Sequence, residues 1–283
     1  MMIVRIPLAE ELPQLHLCRL KPSAYSDFVE PIRYAFAQEH EVLPWGGPAP
    51  AFLVRCGGVD ALVDYADTPK LPGGYPTSPW DVLLKLKYMR RNEAEYIAAP
   101  FPVKPAPYML SHADKVMPAM ERLRARHARG GYAYEVQTAG LYRTAGMYER
   151  QGFPARALSL RANPHLNKGR FGSMDAYLHA LAESRFVAHI SGCQDSIDMR
   201  FVQGAAIGVP VLSSPGLRDY VLPDGKDIEG GIFWVEEGAD LEVEASKICE
   251  GEHAAARQDM KRLFDTYFHP QEAARWMLKA MSL

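Results

Sequence analysis

Residues Ser184–Pro215 read SRFVAHISGCQDSIDMRFVQGAAIGVPVLSSP, and the order of residue types in this stretch decides the fold. Arg185–Ile190 is a short, mostly apolar run with the length and content of a buried strand. It empties into Ser191-Gly192-Cys193-Gln194-Asp195, which is small and polar. The spacing then predicts a helix over Ser196–Ile207, with Ser196, Asp198 and Arg200 in its first turn. Gly208 ends that helix, as glycine commonly does just past a helix terminus, and Val209–Ser213 is the next strand. A helix N-terminus offers unpaired amides and partial positive charge, which suits phosphate. Arg200 adds a planar donor fork that matches phosphate or carboxylate. A second reading stands beside this one: small residues line the turn of any strand–loop–helix unit, Asp198 favours the helix dipole, and Arg200 pairs with Asp198.

The same alternation extends in both directions. Tyr132–Gln137 reads as a strand, Tyr142–Gln151 as a helix stopped by Gly152, and Ala155–Leu160 as a second strand. Ser173 is positioned to cap a helix running to Glu183. Downstream, Gly231–Val235 reads as another strand, followed by helices over Asp240–Cys249, His253–Phe268 and Pro270–Met281. Strands alternating with helices imply a parallel sheet covered on both faces. Ligands of such sheets sit at the carboxyl ends of the strands.

The N-terminal half is more broken. Proline and glycine cluster in Leu43–Ala51, Pro69–Pro79 and Pro100–Pro107, which read as loops. Between them Phe52–Arg55 and Asp60–Val63 look like short buried strands. Asp81–Arg91 has helical spacing, Phe101-Pro102-Val103 is extended, and His112–Ala128 is a helix ended by Gly130-Gly131. These breaks divide the chain into an N-terminal lobe over 1–130, a C-terminal lobe over 131–268, and a last helix over 269–283 that crosses back to the first lobe or lies on the surface.

The chain has 283 residues, 48% hydrophobic and 23% charged, the profile of a protein with a real core. A net charge of −2 gives no whole-protein field that calls for nucleic acid or an anionic membrane. The four cysteines, Cys18, Cys56, Cys193 and Cys249, form no metal-ligand pattern and read as free thiols of a reducing, cytoplasmic setting. The N-terminus carries no signal-peptide pattern, and no apolar run approaches the ~20 residues of a membrane span.

In the segment 184–215, Ser184, Phe186, Gly192, Ser196, Arg200, Gly208, Pro210 and Val211 follow an order and spacing that resembles the donor region of exostosin-like and related GT-B glycosyltransferases. The resemblance covers roughly 132–215. It implies an α/β fold of GT-B type: two Rossmann-like lobes whose parallel sheets face a cleft, with the N-terminal lobe reduced. It implies an enzyme moving a sugar from a nucleotide diphosphate sugar, a UDP- or GDP-sugar by preference, to a hydroxyl acceptor. By the same resemblance Gly192, Ser196, Asp198, Arg200 and Gln203 line the donor site. The family's ribose-binding acid falls at Gln203, whose amide can bond a diol but carries no charge. Arg143, in the turn after the first strand of the C-terminal lobe, is placed to neutralise the diphosphate, as is Lys168 with Arg170. Solvated loop or helix positions are the alternative reading of all three.

The N-terminal half resembles the acceptor side of that family through Val63–Asp67, Asp81–Tyr88 and Ala99–Phe101. Asp67 is the first candidate for the base that deprotonates the acceptor hydroxyl, with Asp64 beside it; loop capping is the alternative. His189, inside an apolar strand, reads as a core or cleft-wall histidine. With no Asp-x-Asp and no metal-ligand cluster, the expected reaction needs no metal or other cofactor beyond the sugar donor, and its leaving diphosphate is stabilised by amides and arginines. The expected acceptor is a saccharide or glycoconjugate. A hydroxyl-modified base of DNA is a second option, motivated by Lys85, Lys87, Arg90, Arg91 and by Arg122, Arg124, Arg126, Arg129. A protein that holds nucleotide or glycan without turnover is a third, motivated by Gln203.

Overall fold

The computed structural model describes residues 59–65, 70–71, 80–138, 171–189, 197–236 and 239–281 in full, and the strand backbone at 16–20, 43–45, 51–56 and 166–167. The chain forms two compact units. The first comprises Met1–Asp114, Tyr220–Lys226 and Tyr267–Leu283, and the second Lys115–Asp219 and Asp227–Thr266. Both are α/β.

The first unit holds a six-stranded sheet: β1 (His16–Leu20), β2 (Leu43–Trp45), β3 (Ala51–Cys56), β4 (Val59–Asp64), β5 (Val82–Lys85) and β6 (Val103–Pro105), in the spatial order β2-β1-β3-β4-β5-β6. Within this sheet β3 runs antiparallel to both β1 and β4. The cause is local. Cys56 pairs with Val59, and only two residues separate β3 from β4 in sequence, too few for the crossover a parallel pairing needs. From β4 onward the pairing is parallel.

Two readings of this half change. Asp81–Arg91 is not a helix. Val82-Leu83-Leu84-Lys85 is strand β5, buried at every position between β4 and β6. A continuous apolar run is what a doubly covered parallel strand needs, and helical spacing cannot be told from it over so few residues. Leu43–Trp45, read as loop, is β2 at the sheet's edge, where the missing N–H of Pro44 is tolerated. Leu62, Trp80 and Leu83 form one core cluster with Phe101 and Val103 against them. The short helix α1 (Glu93–Ile97) contributes Tyr96, whose ring packs on Tyr88 at 4.3 Å between centroids. The returning segment is stitched in by Val221 N–H to Tyr88 O, 3.0 Å, and by Tyr220 Oη to Leu86 O, 3.2 Å.

The second unit begins within α2 (Ala113–Ala128), so that helix packs mostly with the C-terminal half although the sequence breaks only at Gly130. Arg124 explains why: its Nε donates to Ala206 O at 2.7 Å and its Nη2 to Asp265 at 2.7 Å. The sheet contains β7 (Tyr134–Gln137), β8 (Leu166–Asn167), β9 (Ser184–His189), β10 (Val211–Ser213) and β11 (Ile232–Trp234), ordered β11-β10-β9-β7-β8 and parallel at every described pairing. Its helices are α3 (Met174–Ala182), α4 (Met199–Ile207), α5 (Leu241–Ser246) and α6 (Glu250–Leu263). The expected helix 142–151 and strand 155–160 lie outside the described residues. Phe186, Ala188, Leu212 and Val136 form the sheet's core with Val235, Leu241 and Ala245. A π-helical turn, Phe264–Phe268, leads into α7 (Pro270–Met281), which belongs to the first unit and packs on β4 and β5. Among the described residues no helix is long and apolar enough to cross a membrane.

Candidate functional site

The strand order of the second unit marks where a sheet of this kind holds a ligand. The chain leaves β7 for β8 on one side and then returns to β9 on the other, so the topology reverses between β7 and β9. Open α/β sheets bind ligands at the carboxyl edge of such a switch. Polar residues described at this edge include Gln137, which ends β7, Thr138 after it, His189 at the end of β9, and Ser213 at the end of β10; all four are buried.

α4 follows β9 and runs over Met199–Ile207 with Asp198 as its N-cap, where the spacing predicted a helix over Ser196–Ile207. Asp198 has an extended backbone, and its Oδ1 accepts the Phe201 amide at 3.0 Å. One of the helix's first free amides is therefore taken by this carboxylate. Oδ2 accepts two bonds from Arg200, Nε at 2.9 Å and Nη2 at 2.6 Å. His189 Nε2 lies 3.7 Å from Oδ1, and its Nδ1 is 3.0 Å from Ser213 Oγ. Burial pushes the Asp198 carboxyl up, but Arg200, His189 and the Phe201 amide together hold it below the ordinary carboxylate value. Tyr177 on α3 completes the neighbourhood. Burial raises its phenol, with Arg200 and Asp198 acting on it in opposite senses. Its hydroxyl is buried and has no hydrogen-bond partner among the described residues.

This arrangement can do one thing well chemically. It fixes a guanidinium, 17% exposed, against a half-buried carboxylate, 15% exposed, at the sheet edge. Gln203 lies one turn further along α4 and is only 1% exposed. Gly208, which ends the helix, has φ +86, and a Cβ there would meet Lys261 Cε at 2.8 Å and Arg257 O at 3.3 Å. The sequence reading therefore places Asp198, Arg200 and Gln203 on one helix, and so does the structure. It missed Tyr177 and Ser213 as members of the cluster. For Ser213 the available signal was a polar residue at the end of an apolar run. Gly192, Ser196, Arg143, Lys168, Arg170 and Asp67 lie outside the described residues.

In the first unit Asp64 ends β4 and Lys85 ends β5, paired in register. Their side chains are fully buried and joined by an ion pair of 2.5 Å. Burial lowers the Lys85 ammonium pKa while Asp64 pulls it back up. An Asp64 carboxylate enclosed in this way is an anchor for Lys85, not a base open to an acceptor hydroxyl.

Five members of the two basic clusters are buried or already bonded within the protein. Lys85 and Lys87 are buried, and Arg90 is bonded to Glu93 and to Gly225 O. Arg124 is committed to Asp265 and Ala206, and Arg126 to Glu183 and Gly130 O. Among the described residues no group of three or more His, Cys, Asp or Glu could hold a metal ion.

No family model matches the chain, and no curated protein matches it by sequence. Among solved structures it is similar to the Anabaena protein HepE (Alr3699) in complex with UDP and glucose, at 12% identity and a TM-score of 0.39, over 72% of this chain and 64% of that one. It is similar to the GtfA/B complex at 9% identity and a TM-score of 0.39, over 71% of this chain and 46% of that one. It is similar to AviGT4, a glycosyltransferase involved in avilamycin A biosynthesis, at 15% identity and a TM-score of 0.37, over 90% of this chain and 86% of that one. The chain thus spans less than two thirds of the length of the first two.

Proposed function

We propose that the protein is a glycosyltransferase of GT-B type that moves a sugar from a nucleoside diphosphate sugar to a hydroxyl of a saccharide or glycoconjugate. The observation that carries this reading is Arg200, held on Asp198 by two bonds to one oxygen at the carboxyl edge of β9, beside the topological switch. A guanidinium fixed there meets a diphosphate with little reorganisation, and electrostatic stabilisation of the leaving diphosphate is the main demand of the reaction. The pattern of residues 184–215 supports the donor assignment. Arg143 and Lys168 are the further candidates for diphosphate contacts, with Gly192 and Ser196, which precede α4 in sequence. Asp67 is the proposed base, and no metal takes part.

Gln203 favours a second reading, a nucleotide- or glycan-binding protein without turnover, because an amide stands where the resemblance calls for an acid. One measurement addresses both readings: thermal stability against UDP, GDP, ADP, CMP and dTDP, with and without magnesium. A ligand that binds only the folded state adds roughly 2.7 kcal/mol at a hundred times its dissociation constant. A shift with one diphosphate, unchanged by magnesium, is the expected result. Turnover of the matching sugar donor then separates enzyme from binder. The absence of any shift overturns the donor-site reading.

A further inference from the structure

Asp198 does more than cap α4. An N-cap needs only the bond from Oδ1 to the Phe201 amide, 3.0 Å. Here the second oxygen also takes two N–H groups of Arg200, and the first faces His189 Nε2 at 3.7 Å. His189 is itself held. Ser213 Oγ donates to Ser214 O at 3.3 Å, which leaves that hydroxyl oxygen to accept from His189 Nδ1 at 3.0 Å. The imidazole is fully buried and stands edge-on to Phe201, with centroids 5.7 Å apart and planes at 81°. Ser213 and His189 end neighbouring strands, paired in register. The chain of contacts thus runs from the sheet edge, through a fully buried imidazole, to the carboxylate 3.7 Å away, and so to the guanidinium plane.

We propose that His189 and Asp198 are positioning residues: they transmit the orientation of the β9–β10 edge to Arg200 and so pre-align its guanidinium for the diphosphate of the bound donor. This rests on the reading of Arg200 as the donor's anion contact. The physical gain is preorganisation. A free arginine samples many rotamers, and a brace that restricts it before binding spares the complex that entropic cost.

The test uses the full chain and calorimetric affinities for UDP and GDP, compared with uridine and guanosine, which lack phosphate. The variants are Asp198→Asn, which keeps an oxygen to cap α4 but loses the charge that holds Arg200, together with His189→Gln and Ser213→Ala. Each is also made in an Arg200→Ala background, and thermal melts check folding. If the inference holds, the single variants weaken the diphosphate by about fivefold or more, leave the nucleoside within about twofold, and add nothing once Arg200 is gone. A purely structural role would weaken diphosphate and nucleoside alike. Should His189→Gln fail to fold, Asp198→Asn and Ser213→Ala carry the comparison. Full diphosphate affinity in folded Asp198→Asn and Ser213→Ala, with loss in Arg200→Ala, overturns the brace and leaves the site standing. No loss in Arg200→Ala, or no diphosphate binding by the native protein, overturns the donor-site reading and the brace with it.

Discussion

Lys85 Nζ lies 2.5 Å from Asp64 Oδ2, both side chains fully buried, at the carboxyl ends of two neighbouring parallel strands. Removing one member leaves the other without its partner inside the core, a change that typically costs 3–5 kcal/mol by the magnitude ~4. Asp64→Asn should therefore lower stability by about that amount, measured by urea unfolding. The double variant Asp64→Leu, Lys85→Met should recover most of the loss, because an apolar pair of similar volume has no charge to desolvate. Additive losses in the double variant would show that the two residues do not act as a pair.

Arg200 should be required for donor turnover and dispensable for folding. Arg200→Ala is expected to lower turnover by more than about tenfold, roughly 1.4 kcal/mol of transition-state stabilisation, with a near-native melting temperature. Arg200→Lys should not restore it, since an ammonium cannot present two N–H groups in one plane to Asp198. A folded Arg200→Ala protein with full activity would remove the residue from the site.

The Tyr177 hydroxyl is buried without a hydrogen-bond partner among the described residues, while its ring keeps an edge contact with Phe171 at 5.5 Å between centroids. A buried polar atom without a partner is unfavourable by ~1–3 kcal/mol. Tyr177→Phe deletes that atom and keeps the ring, so the unliganded protein should be as stable as the native one or more stable. A loss of more than about 1 kcal/mol in a urea titration would mean that the hydroxyl finds a partner in solution, such as an ordered water.

The C-terminal half was legible because its pattern is periodic. Strands over Arg185–Ile190 and Val209–Ser213, the Ser173 cap and the last helix over Pro270–Met281 all answer to local rules, and the structure shows each within a residue or two. The N-terminal half was harder for a physical reason. Val82–Lys85 is buried on both faces, so it carries no alternation to distinguish strand from helix, and Leu43–Trp45 hides behind prolines that an edge strand tolerates. The site was half legible. Arg200 and Asp198 are visible as charges ahead of a helix. His189, Ser213 and Tyr177 come from three other elements, and only the sheet order brings them together.

His127 should make the second unit sensitive to acid. Burial lowers its pKa to about 3, against an ordinary value of 6.5, with the Ala182 carbonyl opposing and His253, Arg257 and Lys261 reinforcing. The bond between His127 Nδ1 and Ala182 O is 3.3 Å, and Nε2 is buried without a partner among the described residues. The folded pKa is below the unfolded one. Stability is therefore fully present above pH 6.5 and falls as the pH drops from 6.5 toward 3, because the unfolded chain takes a proton that the folded one refuses. One such group gives a slope of at most about 1.4 kcal/mol per pH unit. His253 is lowered in the same direction and adds to it. His127→Asn keeps a donor for Ala182 and cannot take a proton, so urea midpoints between pH 4 and 7 should fall less steeply in the variant. Equal slopes would exclude His127 as the source.

Gln203 separates the ribose assignment from a plain core position by two readouts of opposite sign. The residue is 1% exposed on α4, one turn beyond Arg200. Gln203→Glu places a carboxyl where an amide is now enclosed, and an enclosed carboxylate is disfavoured unless it is paired. The unliganded variant should melt below the native protein. If the nucleoside diphosphate lies against this face of α4, its ribose hydroxyls can donate to the new carboxylate, and charge-assisted bonds are about twice as strong as neutral ones. The variant should then bind the nucleotide more tightly and gain a larger thermal shift from it than the native protein does. A lower melting temperature with an unchanged or smaller shift would place Gln203 in the core and move the ribose contact elsewhere on the sheet edge.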